Sequence, residues 1–397
     1  MVEQKAVLEI TDTEVRLLVG YVKDDIPHLV FSTAKSVVGL IKNGEIIDYK
    51  TLTEIIGSLR DIRDESNKEK IGVNQVTVIL PAVGLNVYES DSSTHVVGND
   101  NVIQSVDITN VVSLISKEEI PVNCDIIDIV PDKFTLDGGV TTSFPPIGKV
   151  SKEIALHAKI HTLPSKTVAE YKKVIENAHF SIERFCLNSY AAAELGKFTQ
   201  GIPASYILVD MGNDVCGITL VGNNSPIGTT TFEGGGKFII SKLIQKFHVS
   251  QQEGLELLTN FGYSTRELSF SPTIFTKIID DVEIEIHQED LNNIINDYFE
   301  NEFFPTFDSA AESFLGRFKD PVRKLPFVFT GGFSMMIGFK DLADKKFVNN
   351  KPLGFLAPTC LGARTAQMTV SVGGLMIACS EKGAYSELKA SRKNIGR

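Results

Sequence analysis

The first eighty residues alternate between apolar runs of strand length and short polar turns. Apolar side chains recur at every second position, which predicts three strands at residues 7–10, 15–19 and 29–31. The next segment, DYKTLTEIIGSLRDIRDES, predicts an amphipathic helix. Its apolar face contains Leu52, Ile55, Ile56, Leu59 and Ile62. A buried strand, NQVTVILPAV, follows, and this order of elements indicates an α/β layer.

Residues 84–163 have a different pattern. Short strand-like runs and turns surround one helix-like stretch, DITNVVSLISKEE, so we expect a small α+β insertion. The segment after it, SKTVAEYKKVIENAHF, predicts a helix, with Ser165 as its N-cap.

The opening pattern returns at residue 206. The stretch YILVDMGNDVCGITLVG, residues 206–222, predicts a hairpin with Asp and Gly at its bend. A third strand at 225–232 and a helix at 238–247 follow in the N-terminal order. We interpret this as an internal duplication, offset by about 200 residues. Two such α/β domains would face each other across a cleft, where ligands usually bind.

Composition narrows the class of protein. The 397 residues exceed one ordinary core, and 43% hydrophobic with 22% charged residues is typical of a folded multidomain chain. A net charge of −11 disfavours non-specific nucleic-acid binding. Five dispersed cysteines without a C-x-x-C pair fit buried thiols in a reducing cytosol. We find no signal segment and no apolar run long enough to span a bilayer.

Several stretches together resemble a known family. The two hairpins and a late Gly-Gly turn in FVFTGGFS, residues 327–334, are typical of the actin/Hsp70/hexokinase superfamily. Within it, residues 117–183, KEEIPVNCDIIDIVPDKFTLDGG through NAHFSIE, are similar to the FtsA family of bacterial cell-division proteins. The run SVVGLIKNGEIIDYKTLTEIIGSL resembles that family's early serine, glycine and Gly-x-Ile-x-Asp pattern. The resemblance extends from residue 6 to about 383.

The resemblance implies a fold and a division into domains. We expect an α/β, actin-like two-lobed fold with duplicated α/β domains and an FtsA-type inserted subdomain. The predicted parts are a first-lobe core at 1–83, completed by 164–196 and about 360–390, the insertion at 84–163, and a second lobe at 197–359 with a smaller subdomain at about 230–300.

The resemblance also implies a function. Members of the FtsA family bind ATP with Mg²⁺, self-associate, bind the C-terminal tail of FtsZ and reach the membrane through a C-terminal amphipathic helix. This chain is therefore expected to link FtsZ filaments to the division site at the cytoplasmic face of the cell membrane. The FtsZ tail would dock at about 230–300, where IIDDVEIEIHQEDL is acidic. The C-terminal EKGAYSELKASRKNIGR lacks the apolar face of an interfacial helix, so a missing anchor or a partner would supply membrane contact.

The first hairpin departs from the family's phosphate-binding loop. Thr11 stands in place of the glycine that lets backbone amides approach an anion. Asp12 and Glu14 place negative charge where a phosphate would lie, at a cost on the order of a few kcal/mol each. An alternative use of this turn is that Glu9, Asp12 and Glu14 coordinate a cation that accompanies a ligand other than ATP.

The second hairpin keeps part of the family's pattern. Asp210 and Gly212 match it, and Asp210 can hold Mg²⁺ through water, whereas Asn213 and its successors replace glycines and hydroxyls. Two glycine turns, Gly235-Gly236 and Gly331-Gly332, are also candidates for contacting the nucleotide. The first lies before a predicted helix, whose N-terminus can bind an anion. All of these positions also fit turns that are structural only. The candidate nucleotide-binding residues are Glu9, Thr11, Asp12, Thr13, Asp210, Gly212, Asn213, Gly235, Gly236, Gly331, Gly332 and Ser334, with Asp210 as the candidate metal ligand.

The adenosine side has lost its polar groups. The family's ribose-contacting Glu and Lys correspond to Leu255 and Leu258, and a nearby arginine corresponds to Tyr298. Apolar side chains cannot replace those hydrogen bonds. We therefore expect weak or no ATP binding, no catalytic residue and at most a weak ATPase.

The fold and other residues bring in three alternatives. The alternative is an actin-like, ATP-hydrolysing assembly protein of the FtsA/pilus-assembly type, which would need more phosphate-loop hydroxyls than the chain has. A sugar kinase on the same fold is disfavoured because no catalytic acid constellation is found. A metal pair of His157 and His161 is disfavoured because both lie in one strand-like run.

Overall fold

The computed structural model of the protein describes residues 3–60, 72–98, 100–142, 145–265, 271–279, 282–318, 320–347 and 354–380. Within these ranges the chain forms two compact units. The first contains the described residues up to Leu195, the segment 222–228 and those from Ser371 onward. The second contains residues 196–221 and 229–370. The lobe and subdomain boundaries expected from the sequence remain predictions.

The elements follow each other in this order. Up to residue 197 they are β1 (Lys5–Ile10), β2 (Glu14–Lys23), β3 (Ile26–Ser36), β4 (Ile41–Lys42), β5 (Glu45–Ile46), α1 (Tyr49–Gly57), β6 (Gln75–Leu80), β7 (Asn86–His95), α2 (Ser105–Ile115), β8 (Cys124–Leu136), β9 (Thr141–Thr142), β10 (Glu153–Pro164), α3 (Ser165–Asn177), β11 (Ser181–Leu187) and α4 (Asn188–Lys197). They continue as β12 (Tyr206–Met211), β13 (Val215–Gly222), β14 (Ser225–Glu233), α5 (Gly236–Phe247), α6 (Gln251–Asn260), β15 (Thr273–Ile279), β16 (Val282–His287), α7 (Gln288–Tyr298), α8 (Phe304–Leu315), β17 (Phe327–Thr330), α9 (Phe339–Lys346), β18 (Gly354–Phe355) and α10 (Thr369–Cys379). Short 3-10 turns lie at Asp137–Gly139, Asp320–Lys324, Gly332–Met335 and Ala366–Met368, and a π-helical turn lies at Phe299–Phe303.

The first sheet has the strand order β11-β6-β1-β2-β3. β1 pairs antiparallel with β2 and parallel with β6, and β6 pairs parallel with β11. β1 and β2 are buried along most of their length, which agrees with their nearly continuous apolar sequence. The strands predicted at 7–10, 15–19 and 29–31, and the buried strand after the first helix, are confirmed. α1 buries Leu52 and Ile56, while Ile62 lies outside the described residues.

The segment 84–163 forms a four-stranded sheet, β7-β10-β8-β9, with α2 packed on it. Its core is aliphatic apart from Phe134. The prediction of short strands was wrong here, because β8 has 13 residues and β10 has 12. Pro131 lies in β8 opposite Ala158 at a register shift. A bulge tolerates proline within a strand, so β8 continues through it.

The start of α3 differs by one residue from the prediction. Ser165 was expected to be the N-cap, but it is the first helical residue and Pro164 occupies the cap position. The Ser165 hydroxyl donates instead to Asp125 Oδ1 at 2.8 Å. The strand pairing places Cys124 opposite Pro164, so the neighbouring carboxylate is close enough to take this hydroxyl.

The second sheet has the order β14-β13-β12-β17-β18, the same arrangement as β3-β2-β1-β6-β11. β12 pairs antiparallel with β13 and parallel with β17, as β1 does with β2 and β6. The turns after β2 and β13 both have two successive residues with positive φ, Asp24-Asp25 and Asn223-Asn224. Two positive φ values are typical of type I′ hairpin turns. The predicted internal duplication is confirmed at this level.

The cysteines match their predicted environment in part. All five are free thiols; Cys186, Cys216 and Cys360 are buried, while Cys124 and Cys379 are half-buried. Burial raises the pKa of the Cys186 thiol, so it stays protonated at neutral pH.

Candidate functional site

The turn between β1 and β2 is closed by the hydroxyl of Thr11. Thr11 Oγ1 accepts from the backbone amide of Thr13 at 3.3 Å and from that of Glu14 at 3.0 Å. The Thr11 amide donates to the Glu14 carbonyl oxygen at 2.9 Å. Asp12 is half-buried beside them. A side-chain oxygen of the turn thus occupies the amides that an anion-binding loop would offer.

A buried arginine, Arg16, lies next to this turn. Its Nη1 is 3.2 Å from Glu9 Oε2, and its Nη2 donates to Glu14. The Ser371 hydroxyl, on α10, also donates to Glu9. The sequence analysis missed Arg16, although a signal was present. Glu14 and Arg16 share one face of β2 at period two, and the hairpin register places Glu9 opposite Arg16.

The second hairpin turn, between β12 and β13, is packed against two glycines. A Cβ at Gly235 would lie 2.3 Å from the carbonyl oxygen of Asn213 and 2.4 Å from that of Gly212. A Cβ at Gly331 would lie 2.5 Å from Asp210 Oδ1. Both glycines have positive φ, +141° and +88°. The structure therefore brings together the second-hairpin candidates and these two glycine turns.

Three amides around the start of α5 have partners inside the second unit. Gly234 N donates to the Asp214 carbonyl oxygen at 3.1 Å, and Lys237 N donates to that of Asn213 at 3.3 Å. Gly235 N donates to the phenolic oxygen of Tyr298 at 2.8 Å. The Lys237 ammonium is 2.6 Å from Asp214 Oδ2, so this cation is also engaged locally.

Tyr298 reaches Gly235 from the aromatic core of the second unit. Its ring stacks on Phe238, with centroids 6.1 Å apart and planes at 10°. Burial raises its pKa, which keeps the phenol protonated. The π-helical turn starts directly after it, and Phe299 of that turn stacks on Phe333 with centroids 5.8 Å apart. The adjacent residues Tyr298 and Phe299 therefore support both glycine turns: Tyr298 accepts from Gly235, and Phe299 packs on Phe333, which follows Gly332.

The Gly331 turn also uses its own hydroxyl. Ser334 is buried, and its Oγ donates to the Gly331 carbonyl oxygen at 2.7 Å. The hydroxyl expected to serve a nucleotide thus closes a turn. Gly332 is not required by packing, because a Cβ there would be 3.8 Å from the nearest atom, in Gln367.

Comparisons with known proteins identify relatives along most of the chain. No protein-family model matches it. The cell division protein FtsA of Enterococcus hirae is 25% identical over 371 residues, covering 91% of this chain and 80% of that protein. FtsA of Bacillus subtilis is 23% identical over 385 residues, covering 94% and 82%. This chain is similar to FtsA.

Solved structures show the fold. The PilM-PilN type IV pilus biogenesis complex matches with a TM-score of 0.60 and 12% identity, covering 95% of this chain and 98% of that one. MreB5 of Spiroplasma citri bound to ADP matches with a TM-score of 0.54 and 9% identity, covering 98% of both. The fold is actin-like, as expected, and the suspected resemblance to FtsA is confirmed.

Leu255 and Leu258, which were expected to stand where the FtsA family has polar residues, differ in environment. Leu258 is buried, and its Cδ2 would be 3.6 Å from a Cβ at Gly236. Leu255 is 47% exposed. The structure thus places one of them against the start of α5 and leaves the other about half exposed.

A groove between α5 and α7 lies within the region where the resemblance to FtsA places the partner tail. Its volume is about 450 Å³, and it is lined by Lys242, Gln245, Lys246, Asn293, Ile294 and Asp297. Lys242 Nζ is 3.3 Å from Asp297 Oδ2 and 2.5 Å from Glu302 Oε1. Lys246 is 3.3 Å from Asp290. The groove therefore offers both charges and amide groups next to one apolar side chain, Ile294.

Two further predictions concern residues away from the turns. His157 Nδ1 is 2.9 Å from Asp91 Oδ1, and His161 is buried with its ring nearly perpendicular to that of Tyr190, centroids 6.0 Å apart. No group of three or more metal-ligating side chains is found among the described residues.

The described helices include none that is long and apolar enough to cross a membrane. The C-terminal stretch from residue 381, whose missing apolar face mattered for comparison with FtsA, lies outside the described residues.

Proposed function

We propose that this chain is an FtsA-like, actin-fold adaptor of bacterial cell division that self-associates, links FtsZ filaments to the division site at the cytoplasmic face of the membrane, and binds ATP weakly or not at all. The similarity to FtsA over more than 90% of the chain supports the cell-division role. The actin-like neighbours support self-association, and membrane contact would come from a partner or an anchor.

One observation carries the loss of nucleotide binding. The Gly235 amide donates to Tyr298 at 2.8 Å, so the α5 N-terminus is closed where an anion would bind. The first hairpin is closed independently by the hydroxyl of Thr11. An ATP phosphate would have to displace these internal partners, and the chain offers Asp210 as the remaining candidate for holding Mg²⁺.

The test is a calorimetric titration with ATP, with and without MgCl₂. We expect no heat of binding and no thermal shift at millimolar ATP. Spiroplasma citri MreB5, whose structure contains ADP, serves as the positive control. Binding at micromolar strength would contradict the proposal and would favour a nucleotide switch.

We propose that the FtsZ tail docks in the α5–α7 groove. The groove lies in the smaller subdomain proposed at about 230–300, and its paired lysines and carboxylates can exchange partners with charged residues of a peptide. Ile294 offers an apolar contact. In the same scheme residues 84–163 form the inserted subdomain and 1–83 and 197–359 carry the lobe cores.

Capture of purified FtsZ with and without its C-terminal tail tests this docking. We expect tail deletion to abolish capture, and Lys246→Glu to weaken it about tenfold, which corresponds to about 1.4 kcal/mol. Lys340→Glu is the matched control, because Lys340 also forms an exposed ion pair, with Asp344, but lies on α9. Unchanged capture of tail-less FtsZ would rule out the proposed docking.

A second candidate is an ATP-hydrolysing assembly protein of the pilus-assembly type. The retained Asp210, held against Gly331, and the structural likeness to the PilM-PilN complex favour it. Phosphate release from ATP distinguishes the two candidates. Turnover that is lost in Asp210→Asn would favour the enzyme, and no release above background would favour the adaptor.

A further inference from the structure

Arg16 is a buried cation beside the turn between β1 and β2, where the resemblance to FtsA implies a bound nucleotide. We propose that Arg16 is a built-in counter-ion that takes the place of a bound divalent cation, so that the first unit keeps one conformation without metal or nucleotide. This inference rests on the proposed function, in which the first hairpin does not bind ATP. It makes the first unit a constitutive platform rather than a nucleotide-gated one.

The geometry around Arg16 carries the inference. Arg16 and Glu9 are 5% and 6% exposed and lie directly opposite each other on β2 and β1. The guanidinium contacts Glu9 on one side and Glu14 on the other. Its Nη1 is also 3.5 Å from the Ser371 hydroxyl, which itself donates to Glu9. One cation therefore joins two strands and α10.

The charge balance shows what Arg16 does. Two carboxylates share one guanidinium, so removing the cation would leave two negative charges close together and partly out of water. Carboxylate and hydroxyl oxygens are the ligands that hard divalent cations prefer. In a variant without Arg16, Glu9, Glu14 and Ser371 would supply such oxygens. The variant should then depend on a divalent cation that the natural chain does not need.

Thermal unfolding of the full chain tests this dependence. We expect Arg16→Met to melt well below the natural protein in metal-free buffer, and to recover by at least about 2–4 °C in millimolar MgCl₂, MnCl₂ or CaCl₂. The natural protein should not respond. A folded Arg16→Met that melts at the same temperature with and without every metal would overturn the proposal, as would an equal response of the natural protein.

Two control variants separate this effect from general instability. Arg184→Met removes a second buried arginine from the described part of the first unit, one that pairs with Asp128, so it should melt lower without any metal response. Glu9→Gln combined with Arg16→Met leaves one of the two carboxylates that contact Arg16, and should also lose the response. A metal response of either control as large as that of Arg16→Met would contradict a specific role for Arg16.

If Arg16→Met does not fold without metal, its refolding yield from urea gives the same information. A yield restored by MgCl₂ but not by NaCl of equal ionic strength supports the proposal, and no recovery with any of the three metals contradicts it. The ATP titration of the natural protein tests the proposed function separately, so each can fail while the other holds.

Discussion

The two five-stranded sheets share one strand order but close their first hairpins with different chemistry. In the first unit a threonine hydroxyl and a buried arginine fill the turn, between β1 and β2. In the second unit two glycines and a tyrosine from the aromatic core fill it, between β12 and β13. The duplicated fold thus satisfies the amides of one turn with a hydroxyl of that turn, and packs the carbonyl oxygens of the other turn against a glycine. The difference teaches that one hairpin topology can close its turn in more than one way.

The strongest way to break the second closure is a side chain at Gly235. In Gly235→Ala the new Cβ would meet two backbone oxygens that cannot rotate away, at a positive φ. We expect a loss of about 3–5 kcal/mol in the free energy of unfolding, measured by urea titration. Gly332→Ala is the control and should cost under about 0.5 kcal/mol, because its nearest contact is ordinary. Equal stability of the two variants would contradict the close packing.

The charged character of the first unit is tested at Arg184. Its Nη2 donates to both oxygens of Asp128, at 3.0 and 3.1 Å, and joins β11 to β8. Arg184→Met should cost about 3 kcal/mol in urea unfolding, because it leaves a buried carboxylate without its cation. Adding Asp128→Asn should recover part of this loss. A single variant as stable as the natural protein would show that the pair does not hold these strands.

Paired Tyr→Phe substitutions compare the units directly. Tyr298→Phe removes the acceptor of the Gly235 amide, and we expect a loss of about 2 kcal/mol. Tyr171→Phe removes a donor to the Gly44 carbonyl oxygen in the first unit, and we expect about 1 kcal/mol. An orphaned buried amide costs more than a carbonyl with a second lone pair. Chemical denaturation of both variants checks the order, and a reversed order would contradict our assignment of Tyr298.

The smallest effect is a pH dependence in the second unit. The Lys277 ammonium and the Ser250 backbone amide both donate hydrogen bonds to the Glu253 carboxylate. These bonds lower the pKa of Glu253 to about 2 from an ordinary 4.5. Because the folded pKa is depressed, this contribution is present above pH 4.5 and is lost as the pH falls towards 2. Thermal melts over that range should decline less steeply in Glu253→Gln. If melting temperature falls equally steeply with pH in both proteins, the Lys277–Glu253 ion pair does not contribute to this pH dependence.

Local patterns predicted the hairpins and the duplication well. Apolar runs at period two and a polar bend suffice to specify strands such as β12 and β13, because their pairing is between chain neighbours. The glycines at 235 and 331 were found as turns for the same reason.

The closure of the turns could not be predicted in the same way. Tyr298 lies 63 residues from Gly235, and only the tertiary fold brings them together. The length of β8 could not be predicted either, because the bulge that accommodates Pro131 depends on the partner strand. Arg16 was within reach of the sequence, since the hairpin register alone places it opposite Glu9.

The bond between Ser371 and Glu9 bears on how the chain folds during synthesis. The two residues are 362 positions apart, yet both belong to the first unit. The N-terminal strands therefore leave the ribosome long before the helix that completes their core. In the interval β1 and its neighbours lack the contacts with α10 that later cover their apolar side chains, so we expect slow completion of this core and exposure of apolar surface until the chain end is made.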